Sequence, residues 1–149
     1  MSKHDEADLI LKLYELRREA TMRAARDWYF REFHPQSGDD IRSAIFGEHS
    51  AHFRMVTSYW DMAAALVNHG AISIDFFNDA NGEQFGVFSK MEPVLEEART
   101  IIGPGVLANL EKLIDATPDG RARSAAIRER MKGIRAELAA RQAEAAGAA

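Results

Sequence analysis

The spacing of apolar residues constrains this chain more than any other feature, because it repeats with the period of an α-helix in every long segment. In the first segment, Leu9, Leu13 and Leu16 recur at steps of four and three. A half-buried strand would instead alternate apolar and polar residues, and no alternating stretch here is long enough to form a sheet. The pattern predicts an all-α fold, a single-domain helical bundle.

Glycine, proline and small polar residues divide this pattern into about six to seven helices. The helices are expected at residues 5–17, 19–33, 39–69, 73–77, 83–102, 106–116 and 121–145. The third would be one long central helix, ended by Gly70 in a left-handed conformation. The fifth contains Pro93, which favours a kink, and a restart after Ser89 through a capping box with Glu92 is the alternative.

Charge and composition divide the chain into a helical core domain, residues 1–116, and a charged C-terminal helix with an alanine-rich tail, residues 117–149. The second segment either belongs to the same domain or forms an oligomerisation arm. Its tail has only alanine to bury and should fray. Seven Lys/Arg against four Asp/Glu give this segment a net charge of +3, whereas residues 1–116, with 12 against 19, carry −7. A basic helix can bind nucleic acid, but we expect a solvated face of Arg and Glu pairs instead.

The composition excludes several classes of protein. A chain of 149 residues fits one domain. A domain of this size buries about 68–70% of its unfolded surface and needs no disulfide or metal ion for stability. The absence of cysteine excludes disulfides, thiolate metal sites and a cysteine nucleophile. No uncharged run approaches the roughly 18 residues that span a bilayer, and the acidic start MSKHDEADLI is unlike a secretory signal. We expect a cytoplasmic protein with no membrane partner.

Sequence motifs for nucleophilic catalysis and phosphate binding are missing. The chain contains no G-x-S-x-G, no Walker loop and no G-x-G-x-x-G. The stretch DFFNDANGEQF, residues 75–85, raises the question of calcium, but aligning Gly82 with the loop glycine puts Phe77 and Phe88 where ligands are needed. We therefore expect no cofactor, and the lack of a catalytic constellation favours a non-catalytic protein.

Two histidines in the motif GEHSAHF are the main candidates for a metal site. His49 and His52 fall on the apolar stripe of the predicted helix 39–69, and imidazoles three residues apart on one helix can share a metal ion. A complete site needs further ligands, for which Glu48 and Asp61 are only loose candidates. The alternative, which we expect, is that both rings lie at an interface or bond a neighbouring carbonyl or carboxylate.

Two other groups of side chains are candidates for a ligand site or an interface. The first comprises Trp28, Tyr59 and Trp60, although aromatic residues at helical spacing more often form core. The second is an apolar stripe on the last helix, here called the seam, in which steps of four and three alternate as in a coiled coil barely two heptads long. The seam consists of Ile127, Met131, Ile134 and Leu138.

Three stretches resemble, in this order, a bacterial family called domain of unknown function 4760. They are LYELRREATMRAARDWYFREF, YWDMAAALVNHGAIS and FSKMEPVLEEAR. The matching positions include the aromatic pair and acid at 59–61, the glycine and apolar pair at 70–72, and Pro93 followed by Arg99. The resemblance covers roughly residues 9–115 and implies a small helical protein. It brings no established activity, and the C-terminal helix lies outside it.

These patterns together predict a non-catalytic interaction or scaffold module that acts as a homo-oligomer, most simply a two-fold dimer, with an unidentified protein as a further partner. A helix over 39–69 would be roughly 46 Å long and would overhang a domain of this size. The seam also needs a partner, unless the last helix folds back on the third. Binding of a metal or small ligand by His49 and His52 is the first alternative, and nucleic-acid binding through the basic C-terminal helix is the second.

Overall fold

Nine α-helices and one turn of 3-10 helix form the computed structural model, which describes residues 2–148. In chain order they are α1 (Lys3–Arg18), α2 (Ala20–Arg31), α3 (Gly38–Phe46), α4 (Ser50–Asn68), α5 (Ile74–Ala80), α6 (Glu83–Met91), α7 (Leu95–Ile101), α8 (Ala108–Ala116) and α9 (Gly120–Ala148), with the 3-10 turn Glu92–Val94 between α6 and α7. These residues contain no strand, and the buried apolar side chains form one core. The prediction of an all-α, single-domain bundle is confirmed.

The short helix α6 lies at the centre of the domain. Every residue from Gln84 to Met91 is buried, as expected for a helix that is covered on all sides. It packs against α4, α8 and α9. On the α2 side, the Tyr29 hydroxyl donates a 2.8 Å hydrogen bond to the Val87 carbonyl. Gly86 permits close approach, because a Cβ there would lie 3.2 Å from the Phe30 ring.

Helix α4 joins the two sides of the core through contacts with α2, α3 and α8. Its Trp60 is 1% exposed and packs edge-on against Phe77 of α5, with ring centroids 6.4 Å apart. The next residue is Asp61, whose Oδ1 accepts a 3.0 Å hydrogen bond from the backbone N–H of Leu110. A carboxylate placed there satisfies an otherwise unpaired N–H at the start of α8. Asp61 therefore ties α4 to α8 and is occupied in that role.

The prediction of one long central helix over 39–69 is wrong. The turn Gly47–His49 separates α3 from α4. A Cβ at Gly47 would lie 2.4 Å from the Ser43 carbonyl oxygen, so a side chain cannot be accommodated without a shift of the backbone. The centre of the bundle is occupied by α6 instead.

The predicted helix 83–102 is also divided, although the chain stays helical throughout. Pro93 lies in the 3-10 turn between α6 and α7, because its ring cannot be accommodated with regular α-helical hydrogen bonds. The capping-box alternative does not form, since Ser89 lies within α6 and its hydroxyl donates a 2.7 Å hydrogen bond to the Gly86 carbonyl. The turn at Pro93 corresponds to the predicted kink.

Helix α9 is the longest element, with 29 residues, and it differs from expectation at its end. The alanine-rich tail, predicted to fray, remains helical to Ala148. Alanine has the highest helix propensity of all residues, so these positions stay helical without burial. Helix α9 packs mainly on α6 and α8, and not back along the predicted third helix.

Length and polarity also bear on membrane insertion. No helix within residues 2–148 is both long enough and apolar enough to cross a bilayer.

Candidate functional site

His49 and His52 lie at the start of α4 rather than on the face of a long helix. His49 immediately precedes α4 and its side chain is 39% exposed. The two imidazole centroids are 5.7 Å apart, with their planes inclined by 26°, and Glu48 Oε1 lies 3.7 Å from His49 Nε2. Among residues 2–148, no three His, Asp or Glu side chains come together as a metal-binding set. Within residues 2–148, no third side chain is placed to bind a metal ion together with His49 and His52.

Both histidines extend an aromatic cluster centred on Trp28, which is 7% exposed. The Trp28 ring stacks on His49 at 5.2 Å and on Phe33 at 5.2 Å, and its centroid lies 6.1 Å from that of His52. Stacked and tilted rings at these separations stabilise a core edge. The Nδ1 atom of His52 is buried and has no hydrogen-bond partner within residues 2–148. These contacts favour a packing role for the pair.

Tyr59 and Trp60 belong to the core rather than to a ligand pocket or interface. Trp60 is 1% exposed, so no partner can reach its ring without opening the domain. The half-buried Tyr59 donates its hydroxyl hydrogen to the Leu13 carbonyl, and burial raises the pKa of Tyr59 to about 12. Trp60 therefore fills the core, which is the alternative that helical spacing favours, and Tyr59 fastens α1 to α4.

The seam on α9 is only partly covered by the domain. Ile127 and Met131 are half-buried, whereas Ile134 is 50% exposed and Leu138 is 53% exposed. Every residue from Ala136 to Ala148 is exposed, and this segment is called the C-terminal arm below. The last seam residues therefore lie where α9 leaves the domain.

The base of α9 is held to the domain by ion pairs. Arg121 binds Asp115 at 2.7 Å, Glu92 at 2.8 Å and Glu111 at 3.0 Å. Arg128 shares Glu92, at 3.2 Å. These pairs engage part of the positive charge that raised the possibility of nucleic-acid binding, because acidic side chains of the domain face it.

The helical core of the chain matches one known protein family. The family described as Domain of unknown function (DUF4760) matches residues 4–117. The chain belongs to this family. No curated protein and no solved structure matches the chain. The DUF4760 region ends just before α9 begins, so the seam and the C-terminal arm lie outside it.

A basic cavity, which sequence reasoning missed, lies where the DUF4760 region meets α9. Its volume is about 150 Å³. The lining residues come from three parts of the chain that are distant in sequence, and none of them is acidic. They are His34, Pro35 and Gln36 after α2, Ser89, Lys90 and Pro93 from α6 and the following turn, and Arg128, Met131, Lys132 and Arg135 from α9.

Lys90 is the most deeply placed charge in the basic cavity, being 8% exposed. Its Nζ donates hydrogen bonds to the Phe33 carbonyl at 2.7 Å and to His34 Nδ1 at 2.8 Å. The other ring nitrogen of His34 lies 3.0 Å from the Arg31 carbonyl, which assigns its proton to Nε2 and leaves Nδ1 as the acceptor. Burial, and then the charge of Arg135, lower the pKa of Lys90 to about 7.

One signal in the sequence could have indicated this site. In FGVFSKM, Lys90 is the only charge among residues that a central helix would bury. A lysine in such a run needs a specific partner or an aqueous opening, because an unpaired buried charge is costly. Its partner His34 lies 56 residues away, so no local motif connects the two.

Proposed function

We propose that this DUF4760 protein is a non-catalytic helical interaction module of the cytoplasm that pairs with a second copy of itself through α9. The proposal rests on one observation, that α9 extends beyond the rest of the domain. Beyond Arg135 the helix continues to Ala148 with every side chain exposed, and Ile134 and Leu138 lie about half-exposed beside that point. The predicted overhang of a helix over 39–69 does not contribute, because α3 and α4 are separate helices.

A second helix on the seam would stabilise the C-terminal arm. Helix propensity alone gives only modest stability in water, and most helical stability in proteins comes from packing of an apolar face. Covering the exposed halves of Ile134 and Leu138 contributes about 1 kcal/mol for each side chain, since full burial contributes about 1.5–3 kcal/mol. Four such side chains meet in a two-fold pair, which supports a weak dimer.

The charges beside the seam favour an antiparallel pair. The flank with Arg128 and Arg135 is half-buried against the domain, whereas the opposite flank, with Arg130 and Glu137, is exposed. Two exposed flanks meet in an antiparallel two-fold arrangement, which places Arg130 of one copy opposite Glu137 of the other. Oppositely charged residues beside a helical seam set the orientation of the partners.

The same arrangement pairs Met131 with Ile134 of the second copy, and Ile127 with Leu138. The two-fold axis then crosses α9 between Met131 and Ile134. Each C-terminal arm runs beside the base of the partner's α9, where it gains the neighbours that it lacks in a single chain. A closed two-fold contact of this kind is the commonest form of self-association.

Two double variants of equal charge test the proposal. Ile134→Glu with Leu138→Glu should shift the protein toward a single chain in sedimentation velocity, measured from micromolar to several hundred micromolar. Ala136→Glu with Ala140→Glu places the same charges on the opposite face of the same exposed helix and should leave association unchanged. Equal sedimentation of both variants and the unaltered protein at all concentrations would contradict self-association through the seam.

A further inference from the structure

Positive charge converges on the basic cavity without a matching negative charge. Four cationic side chains and one histidine contribute to its lining, and no acidic residue does. They are Lys90, Arg128, Lys132, Arg135 and His34. A cleft lined by charges of one sign concentrates the field and raises the local concentration of counter-ions. The cavity therefore attracts anions.

Two of the four cations have carboxylate partners outside the cavity. Arg128 pairs with Glu92 at 3.2 Å, and Lys132 pairs with Glu129 at 3.2 Å. Among the ion pairs formed within residues 2–148, none includes Lys90 or Arg135. These two side chains come from different helices, α6 and α9, and both line the basic cavity. They provide the charge that remains available to a ligand.

The crowding of these cations affects the neighbouring side chains. Burial lowers the pKa of His34, and the charges of Lys90 and Arg135 lower it further. Burial and the charge of Arg135 likewise lower the pKa of Lys90. An anion within a few ångströms would oppose both effects, since an opposite charge favours the protonated form of a base.

Donors are also available for such an anion. Lys90 uses two of its three N–H groups on Phe33 and His34, which leaves one. Arg135 presents a planar guanidinium group, whose geometry matches the two oxygens of a carboxylate or phosphate. We propose that the basic cavity binds a small organic anion through a carboxylate or phosphate head group held by Lys90 and Arg135, with Arg128 and Lys132 contributing to the field.

Volume and lining restrict the size of the ligand. A cavity of about 150 Å³ accommodates a molecule of about six non-hydrogen atoms, since an engineered cavity of that size binds benzene. Pro35, Pro93 and Met131 form apolar parts of the wall. The site suits a head group with a short carbon chain better than a nucleotide.

Titration of the isotope-labelled protein, followed by amide nuclear magnetic resonance, tests this proposal. Inorganic phosphate and pyruvate serve as probes, at constant ionic strength set with chloride. We expect at least one of them to shift saturably the amide signals of residues 34, 36, 89–90 and 128–135. Saturation by phosphate alone would assign a phosphate site, and saturation by pyruvate alone would assign a carboxylate site. Absence of saturable shifts in these segments with both probes would overturn the proposal.

A matched pair of variants identifies the ligand-binding charge. Arg135→Gln should weaken binding by roughly tenfold or more, as expected for loss of a charge-assisted hydrogen bond. Arg141→Gln removes the same charge from the exposed continuation of α9 and should retain the affinity of the unaltered protein. Arg135 is half-buried on the surface of α9, so its replacement leaves the core intact. Equal affinity of the two variants would refute the assignment.

Discussion

Glu6 and Lys90 are two buried ionisable residues whose surroundings act in opposite ways on the charged form. The Glu6 carboxylate accepts hydrogen bonds from the Ser73 N–H, and Lys3 lies 2.9 Å away. These contacts, the Ser73 N–H first, lower the pKa of Glu6 to about 2. Lys90 donates hydrogen bonds to two uncharged acceptors, a backbone carbonyl and His34 Nδ1, but has no carboxylate partner in the described part of the chain, and burial lowers its pKa to about 7. The ionised form is favoured in the first case and disfavoured in the second.

Glu6→Gln should destabilise the fold in a manner that depends on pH. The pKa of Glu6 falls from 4.5 to about 2 on folding, so its contribution is present above pH 4.5 and is lost as pH falls toward 2. In urea unfolding, the deficit of the variant should be clear at neutral pH and smaller near pH 3. Asp8→Asn, an exposed change on the same helix, should have little effect. A deficit of equal size at both pH values would show that Glu6 acts by packing alone.

Lys90→Met should remove a rise in stability at alkaline pH. The pKa of Lys90 is about 7 in the folded protein and 10.5 ordinarily, so between these values the unfolded chain binds more protons and stability rises with pH. At about 1.36 kcal/mol per pKa unit, the rise amounts to a few kcal/mol. Lys112→Met, at an exposed position on α8, should show the same rise in stability with pH as the unaltered protein.

Urea unfolding at pH 7.5 and pH 10 measures this rise. His34 is not the source of the change, because its pKa is lowered from 6.5 and it is neutral at both values. The other charges near Lys90 are those of Arg128, Lys132 and Arg135, with Glu92 and Glu129 paired beside them, and the Lys90→Met variant retains all of them. An equal rise in the Lys90→Met variant would contradict the assignment.

At the level of elements, periodicity located the helices but not all of their ends. Ile45, His49, His52 and Val56 keep the spacing of one helix across the turn Gly47–His49, so the apolar pattern contains no sign of the break. The break depends on a close approach of Gly47 to the Ser43 carbonyl, which is a contact of the folded backbone. Lys90 could have been recognised as a buried charge, but the rest of the basic cavity could not have been predicted, since its residues meet only when α9 packs on α6.

Replacement of two glycines of α9 by alanine should have opposite effects on the stability of the protein. At Gly120 a Cβ would lie 2.0 Å from the Ile114 carbonyl oxygen, whereas at Gly133 nothing lies within 4 Å. Gly120→Ala should therefore cost about 1–3 kcal/mol, the usual range for overpacking. Gly133→Ala should stabilise α9 by about 0.5–1 kcal/mol through helix propensity. Thermal unfolding of both variants tests this, and destabilisation of equal size would contradict the geometry of the α8–α9 turn.

At the scale of the whole molecule, α9 adds two surfaces to the DUF4760 core. One flank, with Arg128 and Arg135, completes the basic cavity. The seam beside it, with Ile134 and Leu138, continues past the domain into the C-terminal arm. The two surfaces share Met131, but Arg135 lines only the cavity and Ile134 and Leu138 belong only to the seam, so anion binding and self-association can be tested by separate substitutions.

The distance between two copies of α9 tests the central proposal most directly. The chain has no cysteine, so Ala140→Cys gives a single site for a spin label on the exposed face. In the antiparallel dimer the two labels lie about 22 Å apart along α9, at 1.5 Å per residue, and helix separation and label arms extend this to roughly 25–35 Å. We expect pulsed electron spin resonance to report one narrow distance distribution in that range at several hundred micromolar protein. A signal without any intermolecular distance at that concentration would contradict self-association through α9.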